Sequence, residues 1–161
     1  MSFKVFVSYS THDLPQVEQL QRQLVGSPVE VFVAEDSVLP SQDLAQTINS
    51  AIEQCDLFVL LWSQNAQASA WVSQEIGKAT ALKKNILPII LDNEANLPGF
   101  IQNLKYLSLP KEPTAAIHKA RNIITDAYEK KMKRIAEAAQ AGKDKLALMS
   151  IGALLLWVFS K

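Results

Sequence analysis

The chain has 161 residues, 48% of them apolar and 20% charged, with 16 basic residues against 16 acidic ones. That length and balance fit one globular domain with a real core and exclude disordered and collagen-like chains. A single cysteine, Cys55, excludes an internal disulfide framework, and the distant His12 and His118 argue against a metal cluster, so no metal site is expected.

Phe3–Tyr9 (FKVFVSY) is nearly all apolar or small, which predicts a strand buried on both faces. Nothing before it has the form of a signal peptide, so the reducing cytosol is the expected compartment. Ser10–Thr11–His12–Asp13 has the form of a capping box at a helix start. Val17, Leu20, Leu24 and Val25 give that helix an apolar face, and Gly26–Ser27–Pro28 ends it. Val29–Val33 is a second strand, and Ala34–Asp43 a loop. Leu44, Ile48, Ala51 and Ile52 mark a helix. Asp56–Trp62 (DLFVLLW) has the apolar run of a central parallel strand.

Ser63–Ala68 reads as polar loop. Ser69 can cap a helix through Trp71, Ile76, Ala79 and Leu82. Ile86–Leu91 (ILPIIL) is a fourth strand, although Pro88 would remove one ladder hydrogen bond. Leu97–Phe100 is a turn, and Leu104–Leu109 a fifth, shorter strand. Beyond Pro113, Ile117, Ile124, Tyr128 and Ile135 recur at helical intervals. Alternating strands and helices predict an α/β fold: a parallel sheet covered by helices on both faces.

Four segments, VFVSYS (5–10), VEVFVAEDSVLP (29–40), AIEQCDLFVLLWS (51–63) and SAWVSQEI (69–76), resemble a bacterial TIR (Toll/interleukin-1 receptor) domain. The resemblance covers about residues 3–109. It implies a flavodoxin-like fold with five parallel strands in the order 2-1-3-4-5. Ligands in such sheets sit beyond the carboxyl ends of the strands, near the switch in strand order. It also implies cleavage of NAD⁺ at the nicotinamide–ribose bond, with a cyclic ADP-ribose as an alternative product, in bacterial defence or cell-suicide signalling. NAD⁺ would be substrate, with no cofactor. Carried over residue by residue, the family's catalytic glutamate is Glu75, four residues after Trp71. Its substrate-binding positions fall on Trp71, Tyr9, Ser10, Asp36 and Ser37. The chain departs from the family pattern at Pro40–Ser41, where a glycine is common, at Leu44, where an aromatic is common, and at Ser10, where some active members have arginine.

The chemistry suits these residue types. Trp71 and Glu75 are i and i+4 and leave one helix face. Nicotinamide departs from NAD⁺ as a neutral molecule and needs no general acid, so one carboxylate can serve where ordinary glycosidases need two. Glu75 could stabilise an oxocarbenium-like transition state, while Trp71 or Tyr9 stacks on a flat ring. Each residue also has an ordinary explanation. A glutamate near a helix start complements the helix dipole, a tryptophan packs in a core, Ser10 caps, and Asp36 and Ser37 are solvated loop residues. Alternatives of another kind are a non-enzymatic scaffold acting through homotypic TIR–TIR contacts and an enzyme resembling nucleoside 2-deoxyribosyltransferases.

Charge divides the chain. Residues 1–110 hold 6 basic and 11 acidic residues, a net −5; residues 111–161 hold 10 and 5, a net +5. The acidic body argues against nucleic acid as a partner. The expected organisation is a TIR domain over 1–128, a basic helical linker over 129–145 and an apolar C-terminal tail over 146–161. Residues 146–160 carry no charge, yet 15 helical residues reach only about 22 Å against a bilayer core of about 30 Å. Lys130, Lys131, Lys133, Arg134, Lys143 and Lys145 precede them, as the positive-inside rule favours. These features lead to the expectation of a cytoplasmic TIR domain, self-associating through TIR–TIR contacts and anchored by its tail to the inner face of a membrane. A self-associating helix is the other reading of the tail.

Overall fold

A computed structural model of the chain describes residues 2–33 and 43–159, with side-chain surroundings to residue 148. Five strands, β1 (Phe3–Ser8), β2 (Val29–Val33), β3 (Leu57–Trp62), β4 (Ile86–Ile90) and β5 (Leu107–Ser108), form one parallel sheet in the order β2-β1-β3-β4-β5. The helices among the described residues are α1 (Leu14–Leu24), α2 (Leu44–Gln54), α3 (Gln64–Ala68), α4 (Ala70–Ala81) and α5 (Pro113–Phe159). This is the strand order that the TIR resemblance implies.

The apolar runs explain the order. Every residue of β3 is buried, and β1 is buried except at Lys4, so both need neighbours on each side and cover on each face. Phe6 lies in register with Phe32 of β2 and Phe58 of β3. Its ring stacks on both, with centroids 5.4 and 5.3 Å apart, a three-ring rung across the sheet. Helix faces close over it: Ile48 and Ile52 from α2, and Val72, Ile76 and Ala79 from α4, join the same core. On α1, Val17, Leu20 and Leu24 are buried; on α5, Ala116, Ile117, Ala120 and Ile124.

The local readings differ from the structure at several places. Ser63–Ala68 is not loop. Ser63 accepts a hydrogen bond from Ala66 N–H at 3.0 Å and caps the one-turn helix α3. The fifth strand is only two residues long, because β4 offers it partners at Ile89 and Ile90 alone. That short edge also accommodates Pro88: pairing to β5 begins one residue later, so the missing N–H can face a side without a strand. The capping box is half formed. Ser10 caps a 3₁₀ turn over Thr11–Asp13, but the Asp13 carboxylate turns inward to Ser63.

Residues 1–125 form one compact unit and residues 126–161 a second. In the second, Leu146 and Leu148 are more than two-thirds exposed. Among the described residues no helix is long and apolar enough to cross a membrane, so the expected anchor over 146–160 gains no support.

Candidate active site

Three elements meet at the carboxyl ends of β1 and β3, beside the switch in strand order where sheets of this kind bind ligands. The first is the end of β1, running through Ser8 into Tyr9 and the 3₁₀ turn. The second is the start of α2, with Leu44 and Ile48. The third is α4. Its N-terminus is set by Ser69, which accepts from Val72 N–H at 3.3 Å. That cap fixes the helix phase, so Trp71 and Glu75 lie on the side facing the strand ends.

Glu75 is the chemically unusual residue. Only 8% of its surface is exposed, in a unit whose other acidic residues are mostly at the surface. Ser8 Oγ donates to Glu75 Oε2 at 2.5 Å, across 67 residues of sequence. Burial pushes the carboxyl up to about 7, against the opposing pull of the Ser8 hydroxyl, which favours the charged form. The group therefore changes charge near neutral pH, as a residue poised for chemistry does.

Glu75 forms part of the wall of a cavity of about 490 Å³, together with Tyr9, Ser10, Thr11, His12, Leu44, Ile48, Asn65, Ala68, Ser69 and Trp71. That volume lies in the range of small-molecule sites, and the mixture of apolar walls with few polar groups is typical of them. Trp71 is half exposed there and belongs to the rim of the cavity rather than the core. The structure thus brings together four of the six residues expected to act: Glu75, Trp71, Tyr9 and Ser10. Asp36 and Ser37 lie outside the described residues.

Sequence reasoning missed Ser8, the hydrogen-bond partner of Glu75. A serine ending a buried strand gives no local sign that its partner lies 67 residues away. Asn65 and Ala68 were missed too, because α3 was read as loop.

A second cavity, about 590 Å³, lies between β2 and α2, lined by Lys4, Glu30, Phe32, Asp43, Ser50 and Cys55 among others. It is larger but lacks a buried carboxylate. Burial pushes the Cys55 thiol up, which disfavours its thiolate. Among the described residues no group of three or more His, Cys, Asp or Glu is placed to hold a metal ion.

Known structures resemble this fold. The chain is similar to the TIR domain of the Toll-related receptor TRR-2 from Hydra magnipapillata, with 21% identity and a TM-score of 0.64 over 76% of this chain and 96% of that one. It is also similar to the CMP N-glycosidase BcmB of Clostridium botulinum, with 24% identity and a TM-score of 0.54 over 73% and 97%. The TIR domains of the activated Roq1 resistosome, which directly recognises the pathogen effector XopQ, match at 17% identity and a TM-score of 0.52 over 80% and 84%. No curated protein matches the chain. At these identities the structures speak for the fold, and the family model described as TIR domain matches residues 5–124, about three-quarters of the sequence. With its sheet order and its cavity at the strand ends, the chain belongs to the TIR domain family.

Proposed function

We propose that this TIR domain is an NAD⁺ hydrolase that cleaves the nicotinamide–ribose bond. The observation that carries the reading is the buried carboxylate of Glu75, held by Ser8 in the wall of the cavity at the strand ends. The positive charge of the nicotinamide ring and the charge that develops on the ribose both favour an ionised carboxylate nearby. As the bond breaks, its electron pair leaves with nicotinamide, which departs neutral. Water then attacks the anomeric carbon and loses its proton, to give ADP-ribose. If a nitrogen of the bound adenine attacks in place of water, the product is cyclic. Trp71 and Tyr9 supply flat surfaces against which a ring can lie and which keep water off the departing group.

The likeness to a structure named a CMP N-glycosidase supports N-glycosidic cleavage as chemistry for this fold. The likeness to the Roq1 resistosome supports signalling and defence through assembly. The test is NAD⁺ consumption by the wild type and by Glu75→Ala. The variant should fold and lose NAD⁺ cleavage by a factor of about 10³ or more. If Glu75→Ala cleaves NAD⁺ as the wild type does, or if the wild type cleaves none at any concentration, the enzymatic reading fails. The scaffold reading then takes its place.

A further inference from the structure

Helix α3 is short, yet it is fastened on two sides. Ser63 caps it and donates to the Asp13 carboxylate at 2.5 Å. Gln64 N–H donates to Asp92 Oδ2 at 2.8 Å, and the Gln64 side-chain amide donates to Glu94. A helix of this length does not hold itself together, so these bonds fix its place. Ala66 is the residue that it buries, while Asn65 and Ala68 line the cavity that contains Glu75. Ser69 alone separates α3 from α4, so Asn65 and Trp71 line the cavity from adjoining helices.

Asn65 is chemically distinct within that wall. Among the described residues its side-chain amide has no hydrogen-bond partner. The hydroxyls of Ser10 and Ser69 are engaged in caps. A primary amide offers a donor and an acceptor side by side at fixed spacing, which a hydroxyl does not. Its complement is a second primary carboxamide, held by two hydrogen bonds at once. Glu75 gives the wall an acidic group, and no Lys or Arg stands among its described residues. The wall therefore suits a cationic ring better than a pyrophosphate.

We propose that Asn65 is a specificity-determining residue that reads the carboxamide of the substrate's pyridinium ring. Its Nδ2–H donates to the carboxamide oxygen, and its Oδ1 accepts from the carboxamide N–H. The inference rests on the hydrolase reading and narrows the substrate to pyridinium ribosides that carry a primary carboxamide. Stacking on Trp71 alone leaves a flat ring free to turn, and the amide pair stops that rotation.

Steady-state kinetics with NAD⁺ and with its acetylpyridine analogue test the proposal. The analogue's ketone keeps the carbonyl and lacks the N–H. Asn65→Ala removes both hydrogen bonds to NAD⁺ but only one to the analogue. The preference in kcat/KM for NAD⁺ over the analogue should therefore fall about tenfold in Asn65→Ala. Comparing each substrate between the two proteins cancels the difference in their intrinsic reactivity. Asn65→Asp keeps an acceptor for the carboxamide N–H and should retain the preference. Asn65→Ala should melt no lower than the wild type, since alanine favours helix and no bond within the protein is lost. A preference unchanged in Asn65→Ala, or lost equally in Asn65→Asp, would overturn the proposal and leave the hydrolase reading standing. A lower melting temperature for Asn65→Ala would assign Asn65 to holding α3 and would also overturn it. A wild type that cleaves no NAD⁺ would overturn both.

Discussion

Glu75 is the residue at which folding and chemistry compete. Its carboxyl is raised from 4.5 to about 7 by burial, so the folded protein holds a proton that the unfolded chain has released. Stability therefore falls as pH rises from about 4.5 to about 7, and above that the full cost of the buried charge is present. For one group shifted this far the cost is about 3 kcal/mol at most. Glu75→Gln removes the charge and keeps the shape. It should be more stable than the wild type by about 1–3 kcal/mol at pH 8, with the difference gone near pH 4.5. Urea denaturation at the two pH values reads this directly. Ser8 pulls the other way, since its hydroxyl favours the ionised carboxylate. On the hydrolase reading the rate follows the ionised form. Ser8→Ala should then move the rising limb of the pH–rate profile for NAD⁺ cleavage to higher pH by about 1 unit. A limb that stays in place, or a rate that falls through neutral pH in the wild type, would point to protonated Glu75 acting as an acid, as a leaving group unlike nicotinamide would need.

Between elements, the connection that shapes the site is the bond from Ser63 Oγ to Asp13 Oδ2, at 2.5 Å. Asp13 ends the 3₁₀ turn that carries Thr11 and His12 into the cavity wall, and Ser63 caps α3, which carries Asn65 and Ala68. Both partners are buried. Ser63→Ala removes a helix cap and leaves a buried carboxylate without its hydroxyl donor, so it should destabilise by about 2–4 kcal/mol. The loss should be smaller in an Asp13→Ala background, where no carboxylate remains to be stranded. A double-mutant cycle by chemical denaturation measures that difference, and equal losses in the two backgrounds would show the pair to be uncoupled. Elements of this kind also mark the limit of what was legible in the sequence. The strands announce themselves because a parallel sheet buries both faces, and runs such as LFVLLW have no other economical use. The helix phase that puts Trp71 and Glu75 together follows from i, i+4 spacing and a serine cap. Helix α3 is too short to display a period, and the second residue in each of the pairs Ser8–Glu75 and Asp13–Ser63 is 67 or 50 residues away. Local pattern says nothing about such partners: Asp13 reads as part of a cap, and Glu75 reads as the catalytic glutamate only through the TIR resemblance.

For the whole chain, the split between the acidic first two-thirds and the basic remainder matches a division of work between the two units. Every described residue of the sheet, the core and the cavity belongs to residues 1–125. A chain ending at residue 125 should therefore fold and keep the cavity. Its melting temperature should stay within a few degrees of the full chain's when both are dilute, since the residues it loses whose surroundings are described, 126–148, bury little. The two chains should share one dependence of activity on concentration. If NAD⁺ cleavage requires TIR–TIR contacts, the rate per protomer must rise with protein concentration. Residues 1–125 should then show the same rise as the full chain, since the described sheet, core and cavity are common to both. Specific activity that is constant for both would show that a single TIR domain holds a complete site, and assembly would then have to serve signalling alone.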